Sequence, residues 1–97
     1  SDMWQRAMIG HSAQNQIPVI ASNRIGTEEG IENSNYFYGR SFITNHIGDK
    51  IAEAGRDKEE VLIGEIDLKE AETLRNVWGI FRDRRPDLYS NLMTVDG

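Results

Sequence analysis

The chain has 97 residues, 38% of them hydrophobic and 28% charged, with a formal net charge of −5 at pH 7. That balance argues against wholesale disorder, and no apolar run approaches the ~20 residues that cross a bilayer. Its acidic surface disfavours nucleic acid as a partner, and the absence of cysteine excludes disulfides, thiolate metal sites and a cysteine nucleophile within these residues.

A single small domain is the largest unit this length allows, and it would bury about 65% of its unfolded surface. Residues 1–6 show no basic segment leading into an apolar one, so a signal peptide is not expected and the cytoplasm is the expected location. Asp2 is expected to cap a helix whose apolar stripe runs through Trp4, Ala7, Met8 and His11 and fades near Asn15. Pro18 then opens the short run Val19-Ile20-Ala21, read as a strand buried on both faces. Residues 27–35 are rich in Glu, Gly and Asn with only Ile31 apolar, and read as a surface loop.

Tyr36-Phe37-Tyr38 and Ser41-Phe42-Ile43-Thr44 lead into a turn at Gly48-Asp49, and Lys50-Ile51-Ala52-Glu53-Ala54 alternates beyond it, so a β-hairpin is predicted. Val61-Leu62-Ile63-Gly64-Glu65-Ile66 is predicted as a further strand. Asp67 with Glu70 three residues on suggests a capping box for a helix through about Val77, with Leu68, Ala71, Leu74 and Val77 on its packed stripe. The rest has no strong period and reads as a docking tail over 78–97. The core candidates are Trp4, Met8, Ile17, Val19, Ile20, Phe42, Ile43, Ile51, Val61, Ile63, Ile66, Leu74 and Trp78.

The expected class is α/β (α+β), with about four strands and two helices. Two helices on one face would leave the other face of such apolar strands bare, so a further covering layer is expected. His11 and His46 are far apart with no acidic motif beside them, which gives no metal signature. The cluster Arg82-Asp83-Arg84-Arg85 is interrupted by an acid and is too short for a nucleic-acid footprint.

Three stretches carry a family resemblance. They are Gly10-His11-Ser12-Ala13-Gln14-Asn15-Gln16-Ile17-Pro18-Val19-Ile20-Ala21-Ser22-Asn23-Arg24-Ile25-Gly26, then Tyr38-Gly39-Arg40-Ser41-Phe42-Ile43 followed by Gly48-Asp49, and, most specific, Trp78-Gly79-Ile80-Phe81-Arg82-Asp83-Arg84-Arg85-Pro86-Asp87-Leu88-Tyr89. Together they resemble the C-terminal part of nitrilase-superfamily carbon–nitrogen hydrolases, in the N-carbamoylputrescine amidase branch. The resemblance covers nearly the whole chain and about the last third of a family member.

It implies a four-layer αββα sandwich and a cytoplasmic amidohydrolase acting on a small-molecule amide or carbamoyl substrate. The expected substrate is N-carbamoylputrescine, cleaved to putrescine in polyamine biosynthesis, with no cofactor, no membrane partner and a homo-oligomeric state. The family's general-base Glu, oxyanion-stabilising Lys and nucleophilic Cys all lie upstream, so no catalytic role falls on Lys50, Lys58 or the glutamates here, and the isolated chain is expected to be inactive.

Asn23 and Arg24 follow a predicted strand at the end where ligand sites form, and by analogy line a substrate pocket; Arg24 equally suits a pair with Glu28 or Glu29. Ser41 is either a pocket hydroxyl or a partner for local amides. Phe81, Arg82, Arg84, Arg85 and Tyr89 are expected at a subunit interface, where guanidinium forks and aromatic rings are useful, the alternative being a solvated cluster. The rival to an enzymatic role is a non-catalytic assembly or interaction module that keeps the hydrolase scaffold.

Overall fold

In the computed structural model, which describes residues 1–96, the first helix, α1, spans Asp2–Asn15. Its N-cap is Ser1, which makes no side-chain capping bond, and Asp2 sits one position inside. There its charge complements the helix dipole while its carboxylate pairs with Arg40. Gln16 ends the helix in the left-handed region (φ 53°, ψ 49°), its N–H donating to the Ser12 carbonyl. The packed face differs from the expected stripe. Gln5 and Ser12 are buried and Trp4, Met8 and Ile9 are half-buried, whereas Ala7 and His11 face solvent. Polar residues win these positions because each finds hydrogen-bond partners beneath the helix, Gln5 at the Arg40 carbonyl and Ser12 at the Asn45 carbonyl.

Three short strands form the principal antiparallel sheet in the order β1 (Ile20–Ala21), β4 (Phe42–Thr44), β5 (Lys50–Glu53). Ile20 lies opposite Ile43 and Ala21 opposite Phe42; on the other side Phe42 meets Glu53 and Ile43 meets Ala52. The register shifts between Ile43 and Thr44, so Thr44 pairs with Lys50. The predicted hairpin is therefore present as β4–β5. Its turn is fixed by Asn45, whose Oδ1 accepts from the N–H groups of Ile47 and Asp49, and by Gly48 at φ 88°.

Central β4 is wholly buried. Phe42 and Thr44 face α1, where Trp4 meets the Phe42 ring edge-on at 5.5 Å and the Thr44 hydroxyl donates to Ser12 Oγ. Ile43 points to the opposite face.

Residues 27–35 do not form the expected loop. β2 (Ile25–Glu29) and β3 (Ser34–Tyr38) pair in a separate two-stranded sheet, from Ile25 opposite Tyr38 to Glu29 opposite Ser34. Most of this hairpin is exposed, so backbone pairing rather than an apolar face sets its register. With no buried face to demand alternation, its polar sequence reads as a loop. Tyr36–Tyr38 accordingly belongs to this second sheet and not to the β4–β5 hairpin. Among the described residues there are thus five strands in two sheets where about four were expected.

The predicted strand over 61–66 forms no ladder. Its exposure nevertheless alternates with a period of two: Leu62, Gly64 and Ile66 are half-buried, and Val61, Ile63 and Glu65 are exposed. Gly64 lies so close over the Ile43 face that an added Cβ would meet the Cδ1 atoms of Ile43 and Ile51 at 3.1 Å. This segment therefore forms a layer opposite α1. Of the other core candidates, Phe42 and Ile43 are buried, but Ile17, Ile20, Ile51, Val61, Ile63 and Trp78 are exposed; of the stripe expected over 68–77, Ala71 is buried and Leu74 half-buried, but Leu68 and Val77 are exposed. The strand around Ile20 is covered on one face only.

The second helix, α2, spans Leu68–Trp78, and Asp67 caps it by accepting from the N–H groups of Lys69 and Glu70. Among the described residues Glu70 returns no bond to Asp67, so the cap is simple rather than reciprocal. Gly79 terminates the helix in the left-handed region (φ 63°). Beyond it the chain is exposed and runs through two 3₁₀ turns, Pro86–Leu88 and Ser90–Met93.

Candidate functional site

The ends of β1 and β3, the start of β4 and residues 54–62 enclose a concavity of about 270 Å³ on the Ile43 face of the sheet. Its wall turns on the β3–β4 junction, where consecutive residues Gly39 and Arg40 both have positive φ, 62° and 59°. Gly39 donates to the Arg24 carbonyl and Arg40 to that of Gly55, tying three segments together. An added Cβ at Gly39 would lie 2.8 Å and 2.9 Å from the carbonyl oxygens of Arg56 and Gly55, so no larger residue fits.

Asn23 and Ser41 both line this concavity. Their polar atoms are, however, engaged with the wall itself. Ser41 Oγ accepts from the Asn23 N–H at 2.8 Å and donates to the Asn23 carbonyl at 3.2 Å. Asn23 Nδ2 donates to the Gly39 carbonyl at 2.9 Å, and its Oδ1 accepts from the Arg24 N–H. These two side chains brace the strand end against the junction.

Arg24 lies outside the lining. Its guanidinium stands over the Phe37 ring at 4.4 Å and pairs with Glu28 at 2.8 Å, which is the acid-paired alternative. The structure therefore brings Asn23 and Ser41 together and sends Arg24 to the β2–β3 hairpin.

Sequence reasoning missed the charged rim of Lys58, Glu59 and Glu60. Its signal was a charged run placed directly before the apolar stretch. Also missed was a cluster on the α1 side. Gln5 Nε2 donates to the Arg40 carbonyl and to Glu53, and the Arg40 guanidinium donates to Gln5 Oε1, Asp2 and Glu53. The hydrogen bond from Lys50, opposed by partial desolvation and helped by Gln5, holds the Glu53 carboxyl below its ordinary range; that from Arg40 does the same for Asp2. This cluster fixes the left-handed Arg40 from behind the wall.

The expected interface residues are all exposed. Arg85 forms a two-point contact with Asp87, its Nε and NH2 donating to the two carboxylate oxygens, while its backbone N–H donates to the Tyr89 hydroxyl. Arg84 stands over the Phe81 ring at 5.6 Å, and Arg82 pairs with Asp83. Arg82 and Arg85 are thus paired with acids within the tail, whereas Arg84 donates to the Phe81 carbonyl and pairs with no acid among the described residues.

The site offers a shaped wall, a charged rim and no thiol. Among the described residues no helix is long and apolar enough to cross a membrane.

Residues 1–76 match the carbon-nitrogen hydrolase family. A citrullinase from Francisella tularensis subsp. tularensis is 50% identical over 95% of this chain and 32% of its own length. An N-carbamoylputrescine amidase from Solanum tuberosum is 48% identical over 99% of this chain and 33% of its own. The crystal structure of a carbon-nitrogen hydrolase from Helicobacter pylori G27 matches with a TM-score of 0.87 at 39% identity, covering 97% of this chain and 33% of that one. The chain spans about a third of the length of the relatives it matches. It belongs to the carbon–nitrogen hydrolase family.

Proposed function

We propose that this chain supplies one wall of the substrate site in a cytoplasmic hydrolase that cleaves the carbamoyl C–N bond of N-carbamoylputrescine, within polyamine biosynthesis. The supporting observation is 48% identity to a potato enzyme of that name across 99% of the chain. One water and one N-carbamoylputrescine give putrescine, carbon dioxide and ammonia. The carbamoyl carbon is a weak electrophile, so the reaction needs an activated nucleophile and a stabilised oxyanion. With no cysteine in its sequence, the isolated chain forms no thiol ester-like intermediate and releases no ammonia.

Citrulline is the second reading, supported by 50% identity to the citrullinase. Both substrates end in the same ureido group, and they differ in the carboxylate that citrulline adds at its far end. A complete hydrolase containing this chain is offered each compound at equal concentration, and ammonia is measured. A kcat/KM at least tenfold higher for N-carbamoylputrescine supports the first reading, and the reverse ratio replaces it with the second. No release from either leaves a non-catalytic assembly module.

The tail from Phe81 to Tyr89 serves the enzyme's homo-oligomer. Arg84→Ala combined with Arg85→Ala in the complete enzyme lowers its sedimentation mass, and an unchanged mass removes the tail from the interface.

A further inference from the structure

Arg40 holds a left-handed backbone (φ 59°), which costs an L-residue energy and which glycine adopts freely. Such a conformation persists only where the surroundings over-determine it, and here the side chain supplies those surroundings. The guanidinium is 18% exposed and donates to Asp2, to Gln5 Oε1 at 2.9 Å and to Glu53 at 3.4 Å. Gln5, itself 4% exposed, returns a bond from Nε2 to the Arg40 carbonyl at 3.0 Å. All three partners belong to α1 or β5. The backbone of the same residue reaches a different segment. Its N–H donates to the Gly55 carbonyl at 3.0 Å, and the neighbouring Ser41 carbonyl accepts from the Ala54 N–H at 2.7 Å, so the junction carries the start of the 54–62 wall of the concavity. A glycine at this position would serve the turn better and lose the clamp, so the side chain does more than make the turn.

We infer that Arg40 is a positioning residue of the substrate site: clamped by Asp2, Gln5 and Glu53 on the α1 side, it holds the β3–β4 junction left-handed and thereby sets the spacing between that junction and the 54–62 wall. Relaxation of φ to the ordinary negative region turns the Arg40 N–H relative to β4, breaks its bond to Gly55 and frees the wall. The effect on substrate rests on the reading of the concavity as one wall of a substrate site. The geometric part does not depend on which ureido compound is cleaved.

The test uses a complete hydrolase containing this chain. Arg40→Gly accepts the left-handed backbone without strain but loses the clamp, so it folds, and amide hydrogen exchange over 54–56 speeds up about tenfold. Its kcat/KM for N-carbamoylputrescine falls about tenfold, carried by KM, as expected when a contact remote from the reacting carbon is mis-set. Gln5 does not line the concavity, so Gln5→Ala removes the clamp from behind only. It raises KM in the same direction, and the double variant is no worse than Arg40→Gly alone because Gln5 acts through Arg40. Unchanged KM or unchanged exchange in Arg40→Gly, with only the melting temperature lowered, makes the cluster a structural brace and overturns the inference. A Gln5→Ala loss that simply adds to that of Arg40→Gly overturns it equally. If neither N-carbamoylputrescine nor citrulline is hydrolysed, the substrate reading fails by itself, and exchange over 54–56 then decides the clamp: faster exchange in Arg40→Gly supports it, and parental exchange overturns it.

Discussion

Ser12 is fully buried and joins three segments through one hydroxyl. Its oxygen accepts from Thr44 at 2.9 Å, and its hydrogen is shared between the carbonyls of Ile17 and Asn45 at 2.7 and 2.8 Å. Ser12→Ala removes a few atoms but strands a buried Thr44 donor and two acceptors, so a loss of about 2 kcal/mol is expected. Urea denaturation measures it; a loss under about 0.5 kcal/mol would show that water or a rotated Thr44 takes over.

The Arg40 cluster predicts a pH response. The ordinary carboxyl values are 4.5 for Glu53 and 3.8 for Asp2, and both groups are held lower in the fold. Depressed carboxyls contribute stability that is complete above those ordinary values and lost as pH falls through the folded ones. The urea midpoint is therefore expected to be flat from pH 7 to about 5 and to fall below it. Arg40→Met lowers the midpoint at pH 7 and flattens the acid limb, because Asp2 loses its largest cause of depression. An acid limb identical to the parent's would remove Arg40 from the response. None of this was legible in the sequence: Gln5 and Ser12 occupy a helix face where a polar residue signals exposure, and only the fold supplies their partners.

At the scale of elements, the β3–β4 junction carries the sharpest constraint. Gly39→Ala must adopt φ near 62° and push a methyl into two backbone carbonyls, which cannot retreat as a flexible side chain can. A loss of about 3 kcal/mol or more is expected, at the upper end of single substitutions. Thermal unfolding checks it, and a shift within error would mean that the junction relaxes freely.

The β4–β5 hairpin and α2 were legible because their turn and cap signals are local, Gly48-Asp49 and Asp67, whereas α1 was found with a different cap and a different packed face. The β2–β3 hairpin was not legible, since two solvated faces erase alternation and leave Glu, Gly and Asn to suggest a loop. The reading of 61–66 as a strand anticipated its side-chain pattern but not its missing ladder, which depends on a neighbour and not on the segment. At the site, Asn23 and Ser41 line one concavity. Their chemistry was not legible, because only the fold shows that each is occupied by the other and by Gly39.

For the whole molecule, the shape decides what the chain does alone. Its extents are 51 × 41 × 15 Å and its radius of gyration is 17.9 Å, against about 13 Å for a compact domain of 100 residues. A slab that thin has one helix on one face of its sheet and, on the other, the segment 61–66, which joins no ladder. Val61, Ile63, Leu92 and Met93 are each more than three-quarters exposed, which exceeds what isolated surface residues explain. The isolated 97-residue chain is therefore expected to bind ANS, to unfold with a shallow urea dependence because little surface is left to expose, and to aggregate as its concentration rises. Addition of the complementary hydrolase portion should quench the ANS signal and steepen the transition together, since both report the same apolar surface. A chain that unfolds steeply alone, without ANS binding, would instead be a self-sufficient module, and the non-catalytic reading of its role would then displace the hydrolase one.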